Sequence, residues 1–156
     1  MPWLLLLLFS LSACGFHLRG YSKLPDILSP IRIIAPDLDS AQKDRLSRRL
    51  IQAGARLALD DAINPVRLTV SIEAMPERSI ADSAGSGTTI LRIARQLRYS
   101  LRMPDDVATE PGVLVRSLDF EQDNKNLLAA QSEKKAALLS LERDLFDQLI
   151  FRLKRL

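Results

Sequence analysis

The chain has one cysteine, one histidine, one tryptophan, two tyrosines and five phenylalanines among its 156 residues. A single cysteine closes no internal disulfide, and a single histidine excludes a histidine-rich metal site. A Ser-His-Asp or Cys-His mechanism would have to be built on His17, three residues from Cys14. So few aromatics leave little material for stacking bases. Charge of one sign is also scarce: 22 basic against 19 acidic residues leave +3, too mild an excess to indicate a nucleic-acid partner. No paired carboxylates and no Ser-His pair mark a catalytic centre. The sequence therefore offers no catalytic residue, no metal ligand set and no cofactor.

What is present begins with an uncharged apolar run, Trp3 to Leu11. A membrane-spanning helix needs about 20 such residues, whereas the apolar core of a secretory signal needs about 7–15. Leu11-Ser12-Ala13-Cys14-Gly15 follows directly. It resembles the bacterial lipobox, in which small residues let the chain enter the peptidase extended and the cysteine thiol accepts diacylglycerol. Residues 1–13 thus read as a cleaved signal peptide, residues 14–156 as one domain, and Cys14 as the lipid attachment site. Met1-Pro2 lacks the usual basic residue, which leaves the true start codon open. Gly15 is compatible with delivery to the outer membrane, and multiple acyl chains give stable anchoring.

Periodicity organises the rest. Ile31 to Ala35, between two prolines, reads as a short strand. Asp39 or Ser40 can cap a helix carrying Leu46, Leu50 and Ala53 on one side, with Gly54 at the position after its C-cap. Val66 to Glu73 alternates apolar and polar, and so does Ile90 to Met103, with Leu91, Ile93, Leu97, Tyr99 and Leu101 on one face, interrupted by Arg95. The turn-rich Pro104 to Gly112 returns the chain antiparallel through Val113 to Glu121. A last helix starts between Leu128 and Ser132, with a stripe of Leu138, Leu141, Leu145, Leu149, Leu153 and Leu156 widened by Leu139, Phe146 and Ile150. Ala74 to Gly87 reads as a long Pro/Gly/Ser loop. The expectation is an α+β fold of order β-α-β-β-β-α, two helices packed on one face of a four-stranded mixed sheet, its first two strands parallel. The opposite sheet face would be polar and open.

Cys14-Gly15-Phe16-His17-Leu18-Arg19-Gly20 resembles the start of mature lipopolysaccharide-assembly lipoproteins of the LptE family. Arg116-Ser117-Leu118-Asp119-Phe120, the polar loop with Leu128-Ala129, Glu133, and the ending Glu142-Arg143-Asp144-Leu145, Gln148-Leu149-Ile150 and Arg152-Leu153 agree with it. Two positions depart from the family pattern. The Glu-Tyr pair frequent at the third strand is Ile90-Leu91 here, and the basic residue near the start of the last helix falls near Ala130, with Lys134 and Lys135 close by. The resemblance implies a non-enzymatic protein of the outer membrane, lipid-anchored on the periplasmic side. It would sit in a 1:1 complex inside the lumen of an LptD-like outer-membrane β-barrel, plugging it, helping it assemble and binding lipopolysaccharide. Nucleic acid is set aside for an exported chain.

Arg92, Arg98 and Arg102 share one face of the third strand within a stretch, Ser83 to Pro104, that has no acidic residue. At about 3.3 Å per residue they form a ladder roughly 30 Å long. Guanidinium forks match phosphate oxygens, and lipid A carries phosphates. The competing reading is a solvated face whose arginines pair with carboxylates such as Glu73 and Asp119 across the sheet. Arg78 in the loop and Lys134 and Lys135 on the last helix are the further lipopolysaccharide-binding candidates. Arg116, sharing a side with Leu114 and Leu118, reads as a structural ion pair. The Phe16–Arg19 segment reads as docking the tether to the sheet or to the barrel. Two other classes stand beside the barrel plug: a stand-alone periplasmic lipoprotein binding another anionic envelope component, and an envelope hydrolase.

Overall fold

Alternation and capping explain most of the architecture in the computed structural model, which describes residues 23–83 and 87–156. The signal segment, Cys14 and the Phe16–Arg19 tether lie outside the described residues. A 3-10 turn at Asp26–Leu28 leads into strand β1, Ile31–Ile34. Helix α1, Ser40–Gln52, is capped by Asp39, whose Oδ1 accepts from the Gln42 amide at 2.7 Å while Gln42 Oε1 accepts from the Asp39 amide at 3.0 Å. It ends at Gly54, which takes φ +93° one residue past the cap, a conformation that costs glycine nothing.

Strand β2 is Val66–Ala74, parallel to β1 through Ile31 opposite Val66 and Ile33 opposite Leu68. Strand β4, Thr88–Arg102, runs antiparallel to β2, and β5, Gly112–Asp123, returns antiparallel along the other edge of β4. Gly112 faces Tyr99 in that register, and a Cβ there would overlap the tyrosine ring.

The expected loop from Ala74 to Gly87 is the main correction. Met75–Glu77 breaks the chain after β2, and Arg78–Ser83 forms strand β3, antiparallel to β4. Arg92 faces Arg78 on one side and Asp119 on the other, just as Arg98 faces Ser71 and Val113. Strands β2 and β3 therefore lie along the same edge of β4, which at 15 residues outruns β2. The sheet has five strands rather than four, the added one continuing the path of β2 past a kink. A sheet edge is a row of unpaired amides and carbonyls, and β3 supplies their partners despite its small, polar side chains.

Helix α2, Leu127–Leu153, is capped by Asn126 and packs across β4 and β5, with α1 beside it on the same sheet face. The core joins Leu46 and Leu50 of α1, Leu145, Phe146 and Leu149 of α2, and Val66, Leu68, Val70, Leu97, Leu101 and Leu114 of the sheet. A smaller cluster of Ile93, Ala137 and Leu141 carries the core toward the start of α2. The expected leucine stripe is shorter than its sequence: Leu156 lies past the helix and Leu139 is turned outward, both exposed. Among the described residues no helix is long and apolar enough to cross a membrane.

Candidate functional site

Because Leu68, Val70, Leu97 and Leu101 point into the core, the alternate residues of β2 and β4 line an outer sheet face without helices. Arg92, Arg98 and Arg102 stand there as the sequence spacing requires, each exposed at the surface. Every one of them has a carboxylate partner drawn from another segment. Arg92 forms a bidentate pair with Asp119, its cross-strand neighbour on β5, through Nε at 2.7 Å and Nη2 at 2.8 Å. Arg98 Nη2 lies 3.4 Å from Glu73 Oε2, and with the Gln96 amide turned so that its oxygen faces the guanidinium, Nε and Nη2 donate to that oxygen at 2.6 and 3.0 Å. Arg102 Nη1 donates to Asp106 in the following turn at 3.1 Å. The stretch from Ser83 to Pro104 is free of acid in sequence, but its face is not free of acid in space.

Electrostatics follow the geometry. The hydrogen bond to Arg92 holds the Asp119 carboxyl below the usual carboxylate range, and the same bond raises the Arg92 guanidinium. At the far end Arg78 sits opposite Arg92, two like charges side by side on the outer face. Lys134 and Lys135 do not join this face. They project from α2, on the helical side, where Lys134 Nζ pairs with Glu77 Oε1 at 2.5 Å and Lys135 is exposed. The six candidates thus form an arginine face plus a separate pair of lysines beside the kink between β2 and β3.

The helical side holds a feature that spacing alone did not single out. Glu142 is 3% exposed, accepting from Gln42 Nε2 at 2.8 Å and from Arg45 Nε at 2.6 Å, and so ties α2 to α1. That hydrogen bond raises the Arg45 guanidinium. The available signal was Glu142's place four residues after Leu138 and three before Leu145, inside the leucine stripe. A cleft of ≈ 400 Å³ opens beside it, lined by Arg48, Arg49, Arg143 and Phe146 among others. Arg116, read as an ion-pair former, is exposed and lines a second cleft with Asp144 and Asp147 of α2. Among the described residues no group of three or more His, Cys, Asp or Glu side chains is placed to hold a metal ion.

The family model described as "LptE: Lipopolysaccharide-assembly" matches residues 27–153. Among solved structures, a minor lipoprotein from Acinetobacter baumannii superposes with a TM-score of 0.68 at 14% identity, covering 84% of this chain and 94% of that one. The rare lipoprotein B of Shewanella oneidensis gives 0.64 at 13% identity, over 78% and 90% of the two chains. A lipoprotein B from Nitrosomonas europaea gives 0.53 at 22% identity, over 87% and 88%. At such identities these three establish a shared fold. Comparison with curated proteins gives no match.

Proposed function

The chain belongs to the LptE family of lipopolysaccharide-assembly lipoproteins, proteins associated with the outer membrane, and from that premise we propose its particular role. Residues 1–13 are removed, Cys14 is acylated, and residues 14–156 are held on the periplasmic side of the outer membrane as one domain. The domain enters the lumen of an LptD-like β-barrel as a 1:1 plug, helps that barrel assemble, and binds lipopolysaccharide on its way to the surface. Its part is binding and positioning, with no catalytic step. The observation that carries this reading is the family match, which runs from the 3-10 turn before β1 to the last residue of α2.

The geometry is compatible with the lipid-binding part in a specific way. Arg92, Arg98 and Arg102 keep their guanidinium groups at the surface, so a phosphate can reach them. Their carboxylate partners are exposed as well, and exposed pairs contribute only about 0–1 kcal/mol each. Charge-assisted contacts to phosphate are stronger, about 1.5–3 kcal/mol. A phosphate, with more oxygens and more charge than a carboxylate, can therefore compete with Asp119 or Glu73 for these guanidinium groups. Arg78, next to Arg92, extends the face, and Lys134 and Lys135 are the contacts on the helical side.

The test is lipopolysaccharide binding by the full chain in nonionic detergent, compared with Arg92→Glu combined with Arg98→Glu. The double reversal should weaken binding at least tenfold while circular dichroism stays unchanged, since both side chains point away from the core. Unchanged binding by the folded variant would move the lipid off this face. Binding of other polyanions with equal strength would favour the stand-alone anionic-envelope reading instead.

A further inference from the structure

The register of the sheet places a second basic feature on the outer face, at the opposite end from Arg78. Arg32 of β1 lies opposite Arg67 of β2, and Arg67 lies opposite Arg102 of β4. Their neighbours Ile31, Val66, Leu68 and Leu101 are buried, so all three arginines project from the helix-free side. With strands about 4.8 Å apart, the backbone positions of the three arginines stand abreast within roughly 10 Å, while the Arg32 guanidinium leans toward residues 59–60 and that of Arg102 toward Asp106. Like charges directly opposite each other destabilise a sheet, and here two such pairs share one row.

Carboxylates do not neutralise the row. Arg102 has Asp106. Arg32 uses its Nη2 on two backbone carbonyls, Leu59 O at 2.9 Å and Asp60 O at 3.1 Å, which fixes the guanidinium and leaves Nε and Nη1 unused. Arg67, at the centre and exposed, has no hydrogen-bond or ion-pair partner among the described residues. Thr69 and Ser100 face each other two residues along on the same side, adding hydroxyls beside the guanidinium groups. Local rules of sequence and structure are broken in this way chiefly at functional sites.

We propose that Arg32, Arg67 and Arg102 form a phosphate-binding site for a phosphomonoester dianion. One carboxylate is saturated by a single guanidinium fork, whereas three arginines in one row, with Arg67, unpaired among the described residues, at its centre, match the several oxygens and double charge of a phosphate toward which Arg32 and Arg102 can turn. Resting on the lipopolysaccharide reading above, the site takes a phosphate of the glycolipid head group. It adds Arg32 and Arg67 to the candidates, at a position remote from Arg92.

The test uses the full chain in nonionic detergent, with inorganic phosphate, lipopolysaccharide and chemically dephosphorylated lipopolysaccharide as probes. Phosphate should raise the Tm of the wild type above that in chloride of equal ionic strength, because a ligand of the native state stabilises it. Arg67→Gln should abolish that increment while its own Tm stays at or above wild type, since a repulsion is removed. Its affinity for lipopolysaccharide should fall about tenfold, with no change for the dephosphorylated lipid. A phosphate increment that survives Arg67→Gln, or an increment absent from the wild type, overturns the site. A phosphate increment lost in Arg67→Gln, from a wild type that binds no lipopolysaccharide, upholds the phosphate site and refutes the lipid reading alone.

Discussion

If the arginine face binds lipid phosphate, its own carboxylates are competitors, and removing them should tighten binding rather than weaken it. The distances set the expected sizes. Asp119 holds Arg92 with two short bonds, 2.7 and 2.8 Å, so of the two exposed pairs it is the stronger competitor. Glu73 approaches Arg98 only to 3.4 Å, which makes that pair the weaker one. Asp119→Asn should therefore tighten lipopolysaccharide binding by up to about fivefold, the ceiling set by an exposed pair, and Glu73→Gln less than twofold. Arg98 changes little because Gln96 still holds it. Asp144→Asn, on the exposed side of α2, controls for the general gain of positive charge and should change affinity less than twofold. Titration calorimetry at low salt reads all three, and the gain from Asp119→Asn should shrink as salt screens the exposed face. Weaker binding in Asp119→Asn would show that the carboxylate orients Arg92 for the ligand, and a larger effect from Glu73→Gln than from Asp119→Asn would refute the reasoning from distance.

Glu142→Ala should lower stability by about 2 kcal/mol, on the order of 7 °C in Tm for a domain of this size, because two donors lose a buried acceptor. The partial exposure of Arg45 keeps the loss below that of a fully buried pair, Glu142→Gln should cost less, and an unchanged Tm in the alanine variant would contradict the structural role of this bond. Asp119, its carboxyl held below the ordinary range by Arg92, should add stability that is complete above the ordinary carboxylate range and fades as the pH falls through its lowered value. Acid unfolding of Asp119→Asn should lack that component, and identical acid profiles for the two proteins would count against the pair.

Local signals make several elements legible in the sequence itself. Alternation in Val66 to Glu73 and Ile90 to Met103 specified both strands and their buried faces, and Asp39 announced the first helix. Strand β3 left no such mark, since Ser79, Ala81 and Ser83 neither alternate in polarity nor favour extended backbone strongly; it forms because a 15-residue neighbour needs pairing along its whole edge. For the arginine ladder the competing reading names two of the partners that form, Glu73 and Asp119, while Asp106, which reaches Arg102 from the following turn, leaves no mark in the strand pattern. The row of Arg32, Arg67 and Arg102 is further out of reach, because its members are 35 residues apart in sequence at each step and only the register aligns them. The anchor and tether readings rest on motifs alone and lie outside the described residues.

The most direct test of the central claim is to solubilise the tagged, full-length protein in mild detergent at native expression levels and determine the mass and composition of what accompanies it. The account predicts a stable complex of one copy with one copy of an LptD-like outer-membrane barrel. Recovery of the protein as a monomer, with no barrel bound, would contradict it.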